Sequence, residues 1–229
     1  MSNVLKFECI DNARQLGGIP AGVSRVKQNA LFRSGNLSRA SEHDLLRLRD
    51  DFGVSLVIDL RSDFEYMRKP DKLIDGMQST LIPILDESMH GDAFNKNQVV
   101  PATGVDFMEF LFGIARYPFA TELKDKLYNY FVESEYASKQ YAKVFEAVLA
   151  QKGAPVLFHC TSGKDRAGFC SALMLAASCR KLQIVGRVAK PSAPHSYVRT
   201  LNLYRPLMLR IISLTRRISR SSMCRRHGP

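Results

Sequence analysis

No acidic residue follows Asp165. All 22 Asp and Glu residues of this 229-residue chain fall at or before that position, whereas 13 of its 33 Lys and Arg residues lie beyond it. The first 165 residues carry 20 basic against 22 acidic side chains, a net of −2. The last 64 carry +13, which accounts for the formal charge of +11. The high pI therefore belongs to the tail and says nothing about the body. At an acidic content of about 12%, an acid-free run as long as the 52 residues from Ser178 to Pro229 alone has a chance of roughly one in a thousand. Long apolar runs are also missing: nothing approaches the ~18 residues of a membrane-spanning helix, and Met1 to Phe7 lacks the apolar core of a signal peptide. The five cysteines, Cys9, Cys160, Cys170, Cys179 and Cys224, are odd in number and show no zinc-type pairing. That argues against a disulfide framework and for a reducing compartment, so the chain is expected in the cytoplasm.

What is present centres on one stretch, Val156 to Gly168. Pro155 precedes the apolar run Val156-Leu157-Phe158, which reads as a buried strand, and the Ala-rich run from Phe169 reads as a helix. The polar residues His159-Cys160-Thr161-Ser162-Gly163-Lys164-Asp165-Arg166-Ala167-Gly168 form the loop between them. Backbone N–H groups in such a turn make an anion nest, the helix N-terminus adds its positive end, and Gly163 and Gly168 permit the tight path. A doubly charged phosphate fits a loop of that kind, held by Thr161, Ser162, Gly163, Lys164, Ala167 and Gly168. Cys160 is the candidate nucleophile, because inward amides, a helix N-terminus and nearby Lys164 and Arg166 favour the thiolate. Arg166 supplies a planar fork that can grip two phosphoryl oxygens and follow them into the transition state. Of the five cysteines, Cys160 alone has an arginine six residues on.

The string His-Cys-x-x-Gly-Lys-Asp-Arg-x-Gly resembles the signature of the protein tyrosine phosphatase superfamily. Its Gly-Lys-Asp-Arg core is most similar to the bacterial and fungal branch with dual protein and phosphoinositide activity. The resemblance implies an α/β fold, a small central sheet flanked by helices with the phosphate loop between a strand and a helix. It implies a cysteine-dependent phosphomonoesterase needing neither metal nor cofactor. It also places the general acid at Asp165; other tyrosine phosphatases use an acid on a separate loop, for which Asp86 and Asp92 are the candidates here.

Earlier in the chain, Phe7 to Ile10 reads as a short strand. Asn12-Ala13-Arg14-Gln15-Leu16-Gly17-Gly18 looks like the family's Asn-x-Arg-Asp-Leu-Gly-Gly segment, with Gln15 standing where an acid is usual. Ala30 to Arg33 reads as a strand entering Ser34-Gly35-Asn36-Leu37-Ser38. A helix is expected from an N-cap at Ser41, with Glu42 and Asp44 in its first turn, to Gly53. Val54 to Leu60 is too apolar for a half-exposed strand and belongs inside a parallel or mixed sheet. At its carboxyl end, where ligands bind in open α/β sheets, sits Asp59-Leu60-Arg61-Ser62, similar to another family segment. Arg14, Asp59 and Arg61 are therefore candidates for a substrate rim, with an ion pair bracing the turn as the other reading of Arg61. Ser79 to Leu85 is a further strand candidate. Asp86 to Gly104 is polar and long enough for a lid, and helical spacing marks 106–114, 118–132 and 135–149.

Residues 1–178 are thus expected to form the phosphatase domain and 179–229 a basic tail outside it. Three readings of the tail stand: an arm for polyanions such as nucleic acid or anionic lipid, a solvated basic face on a helix around 207–218, and a product of altered reading frame or splicing. The expected partner is a phosphorylated protein or a phosphoinositide. A phosphate-binding module impaired in catalysis is the alternative outside enzymology. A rhodanese or arsenate reductase is disfavoured by the Gly-Lys-Asp-Arg string and the single loop cysteine.

Overall fold

The computed structural model describes residues 3–21, 24–86, 120–178 and 224–226. Its central sheet has five strands in the spatial order β1 (Arg14–Gln15), β4 (Leu31–Ser34), β7 (Val156–His159), β5 (Leu56–Asp59) and β6 (Gln78–Leu81). β7 lies in the middle, parallel to β4 and β5, and β1 closes one edge antiparallel to β4. All four residues of β5 and of β7 are buried, as near-continuous apolar runs require of strands covered on both faces. The register sets His159 between Ser34 and Asp59. The loop that begins at Cys160 therefore leaves the sheet at the carboxyl end of its central strand.

Side chains alternate across β7. Val156 and Phe158 join a cluster with Leu127, Phe131, Tyr141, Phe145 and Phe169, contributed by α3 (Ala120–Glu133), α4 (Glu135–Ala150) and α5 (Asp165–Ser178). Leu157 faces the opposite cluster of Phe32, Leu37, Leu45, Leu48 and Val57. The sheet is thus filled on both faces. Phe158 is fully buried at the centre of the larger cluster, and truncating such a residue to alanine costs about 3–5 kcal/mol.

Ser41 caps α1 (Glu42–Leu46) by accepting from the Asp44 amide, and the helix runs on through a π-helical turn at Arg47–Asp51. Gly53, with φ +69°, ends it as anticipated. α2 (Asp63–Arg68) begins at Ser62 with a reciprocal capping box to Glu65. The strands at 31–34, 56–59 and 78–81 are displaced or shortened by a few residues relative to the sequence expectation. Phe7 to Ile10 is a correction. It forms no strand, because the backbone amides of Glu8 and Cys9 are each taken at 2.8 Å by the Asp44 carboxylate.

A second, three-stranded sheet pairs β2 (Pro20–Ala21), β3 (Ser24–Val26) and β8 (Cys224–Arg226) antiparallel. β8 contains the described residues of the tail. Most of the expected lid segment, the helix at 106–114, Asp92 and the stretch 207–218 lie outside the described residues. None of the described helices is long and apolar enough to cross a membrane.

Candidate active site

α5 begins inside the predicted loop, at Asp165, so Asp165 and Arg166 occupy its first turn and the loop proper is Cys160 to Lys164. Gly163 sits at φ +68°, and a Cβ there would lie 2.4 Å from the Ser34 carbonyl carbon and 2.5 Å from the Gly35 nitrogen. Only glycine accepts both the left-handed backbone and that proximity. The loop is pressed against the segment after β4, and three side chains fasten its outer edge. Asn36 donates to the Thr161 carbonyl (2.8 Å), Asn12 to those of Ser162 (3.2 Å) and Gly163 (2.9 Å), and Arg33 to Gly163 (2.7 Å). Carbonyls held from outside favour amides turned toward the enclosed space, as an anion nest needs. Asn12 stands in the segment before the double glycine, so that segment closes on the loop despite Gln15.

Arg166 has no exposed surface, and its guanidinium is gripped by Glu65. Nη1 donates to Oε2 at 2.5 Å and Nη2 to Oε1 at 2.8 Å, while Nη2 also donates to the Thr161 hydroxyl at 3.1 Å. Thr161 in turn donates a short hydrogen bond to Glu65. Burial alone would lower the Arg166 pKa, but Glu65 outweighs it and holds the guanidinium charged more firmly than usual. Burial would raise the Glu65 pKa; Arg166, Thr161 and the Ser62 amide instead drive it well below the carboxylate range. Both groups stay ionised, and the pair fixes the orientation of the fork.

Cys160 is buried at 1% exposure, between β7 and the loop. Asp165 is largely buried and accepts from the Tyr128 hydroxyl of α3 at 2.8 Å. Ser162 is half-buried, Lys164 is exposed, Ala167 is core-packed and Gly168 lies against the Arg33 guanidinium. Among the rim candidates, Arg14 is exposed on the edge strand, but Asp59 and Arg61 are 0% and 1% exposed. They lie beneath the loop. Arg61 donates to both Asp59 oxygens and to Asp71, and to the Lys69 carbonyl, so it braces the turn.

The family described as the tyrosine phosphatase family matches residues 5–184. This chain belongs to the tyrosine phosphatase family. It is 36% identical over 180 residues to a protein of Cupriavidus necator named as a tyrosine-protein phosphatase, covering 76% of this chain and 57% of that one. A tyrosine-protein phosphatase of Nostoc commune is 30% identical over 72% of this chain and 49% of its own length. The triple specificity protein phosphatase PtpB of Mycobacterium tuberculosis is 32% identical over 66% of this chain and 56% of its own. The chain spans about half the length of these curated relatives.

Within this family member, sequence reasoning passed over Glu65, Asn36, Arg33, Asp71 and Tyr128. Glu65 carried a usable signal, since Ser62-x-x-Glu65 is a capping-box pattern just after a strand. The other four are brought to the loop by tertiary packing, which local spacing does not encode.

Proposed function

We propose that this chain hydrolyses phosphomonoesters, first phosphotyrosine-type protein substrates and beyond them phosphoserine, phosphothreonine or phosphoinositides, through a cysteinyl-phosphate intermediate. The observation that carries the reading is the braced loop: Cys160 begins it, Arg166 follows it in the first turn of α5 with a fork fixed by Glu65, and Asn12, Arg33 and Asn36 secure its carbonyls from outside.

In the first step the Cys160 thiolate attacks phosphorus, a P–S bond forms, and the P–O bond to the leaving group breaks. Loop amides and Arg166 stabilise the charge on the equatorial oxygens. Asp165 gives its proton to the leaving oxygen. In the second step water attacks phosphorus and gives a proton to the Asp165 carboxylate, the P–S bond breaks toward sulfur, and phosphate and thiolate are restored. Tyr128, donating to Asp165, holds the carboxyl group in place. Lys164, exposed at the end of the loop, suits ligands with further negative groups. We assign the chain to the cytoplasm, and we assign residues 179–229 to a basic segment that binds polyanions nonspecifically, appended to the catalytic body of residues 1–178 and joined to it where β8 pairs with β3. The family match reaches residue 184 and leaves most of that segment outside it.

The test is a panel of phosphotyrosine, phosphoserine and phosphoinositide substrates with the purified chain in chelator. Phosphate release from phosphotyrosine peptides, lost in Cys160→Ser, is expected. Release that survives in Cys160→Ser refutes the assignment.

A further inference from the structure

Below the loop lies a cluster of four charged side chains that the reaction above does not use. Asp59, Arg61, Asp71 and His159 have side chains no more than 1% exposed. His159 immediately precedes Cys160. Its Nε2 lies 2.7 Å from Asp71 Oδ2, and its Nδ1 lies 3.2 Å from the Cys160 carbonyl oxygen and 3.8 Å from Asp59 Oδ1. Both ring nitrogens therefore meet oxygen acceptors. A neutral imidazole has one N–H, so one of those contacts would set lone pair against lone pair; the imidazolium avoids this, donating toward the Cys160 carbonyl and meeting the Asp71 carboxylate as a close ion pair, with Nε2 and Oδ2 not aligned as a hydrogen bond. Asp71 is held as the carboxylate: its Oδ1 accepts from the Leu37 amide (2.9 Å) and from Arg61 (3.0 Å), and these partners together with His159 outweigh burial and draw its pKa below the ordinary value.

From this geometry we infer that Asp71 is a positioning residue for the reaction: through His159 it fixes an imidazolium against the backbone of Cys160, placing a cation beneath the thiolate. The inference rests on the reading of Cys160 as nucleophile. Four charges meet in this space: Asp59 from β5, Arg61 from the turn after it, Asp71 from the segment after α2, and His159. With His159 protonated they sum to zero, which a buried cluster needs. Burial alone would push the imidazole pKa down, but Asp59 and Asp71 outweigh it and raise it above the ordinary value. Asp71 serves the site a second time. It anchors Leu37, next to the Asn36 that holds the Thr161 carbonyl, so one carboxylate ties the imidazolium and the outer edge of the loop to the same point.

The experiment uses the full chain labelled with ¹⁵N histidine. Imidazole nitrogen shifts at pH 7.5 are read for the wild type, Asp71→Asn and Asp71→Glu, beside the pH profile of kcat/KM on an aryl phosphate. The wild type should show both His159 nitrogens protonated. Asp71→Asn should show a neutral ring, with the acid limb of kcat/KM moved to higher pH, about tenfold in rate at a pH below the limb for each unit of movement. Asp71→Glu should restore the charge and most of the profile. A neutral His159 in an active wild type overturns the role of Asp71 and needs no folded variant. An unmoved acid limb in Asp71→Asn also overturns it. A wild type with the imidazolium but no phosphate release overturns the reading of the reaction instead, and Asp71's place in it.

Discussion

Glu65 and Arg166 stand 101 residues apart in sequence and form a two-armed ion pair at 2.5 and 2.8 Å, with neither side chain more than 3% exposed. The helix cap of one element thereby aims Arg166, the proposed catalytic arginine, on another. Glu65→Gln keeps one acceptor and removes the charge, leaving a buried guanidinium uncompensated. Breaking a buried pair costs about 3–5 kcal/mol. The expected outcome is a melting temperature lower by roughly 6–20 °C, at about 2–4 °C per kcal/mol for a domain of this size, together with a fall in kcat. Calorimetry and steady-state kinetics on the same sample check both.

The acid side of the stability profile follows from the same pair. Glu65 has its pKa depressed in the fold, so its contribution is fully present above the unfolded value of about 4.3 and is lost as pH falls through the folded one. His159 has its pKa raised, so its contribution is fully present below about 6.5 and is lost as pH rises through the folded value. Urea midpoints measured from pH 3 to 9 should form a plateau between these limits and fall on both sides. In Asp71→Asn the alkaline fall should flatten, while the acid fall remains.

Gly163→Ala tests the loop geometry. The new methyl meets the backbone of Ser34 and Gly35 at 2.4–2.5 Å on a left-handed residue, so the loop must move away from β4. Left-handed strain alone costs about 1–2 kcal/mol. Phosphate release should fall more than stability does, because the hydrogen bonds from Asn12 and Arg33 to the Gly163 carbonyl shift with the loop.

Asp165→Asn should slow aryl phosphates with poor leaving groups far more than those with good ones, which need little protonation. Tyr128→Phe, removing the 2.8 Å hydrogen bond to Asp165, should show the same trend in weaker form. A series of substituted phenyl phosphates gives the slope; equal slowing across the series in Asp165→Asn would assign that residue to loop structure instead.

The parts of this molecule written locally were readable from sequence. Val156 to His159 reads as a buried strand because it is apolar throughout, Ser41 reads as a cap because acids follow it, and Gly163 marks a tight turn. The site's support was not readable in that way. Asp44 captures the amides of Glu8 and Cys9 from 35 or more residues away, which turns an apparent strand into loop. Arg61 reads equally well as a rim cation or a brace until Asp59 and Asp71 are seen around it. Spacing reveals which residues share an element; it does not reveal which carboxylate, a hundred residues away, will hold Arg166.

Passage of phosphate through Cys160 can be caught by acid quench of the full chain during turnover of an aryl phosphate, followed by peptide mapping. Phosphate is expected on the peptide containing Cys160 in the wild type, with neither that adduct nor phosphate release in Cys160→Ser. Turnover by Cys160→Ser, or phosphate carried on any other residue, would contradict passage through Cys160.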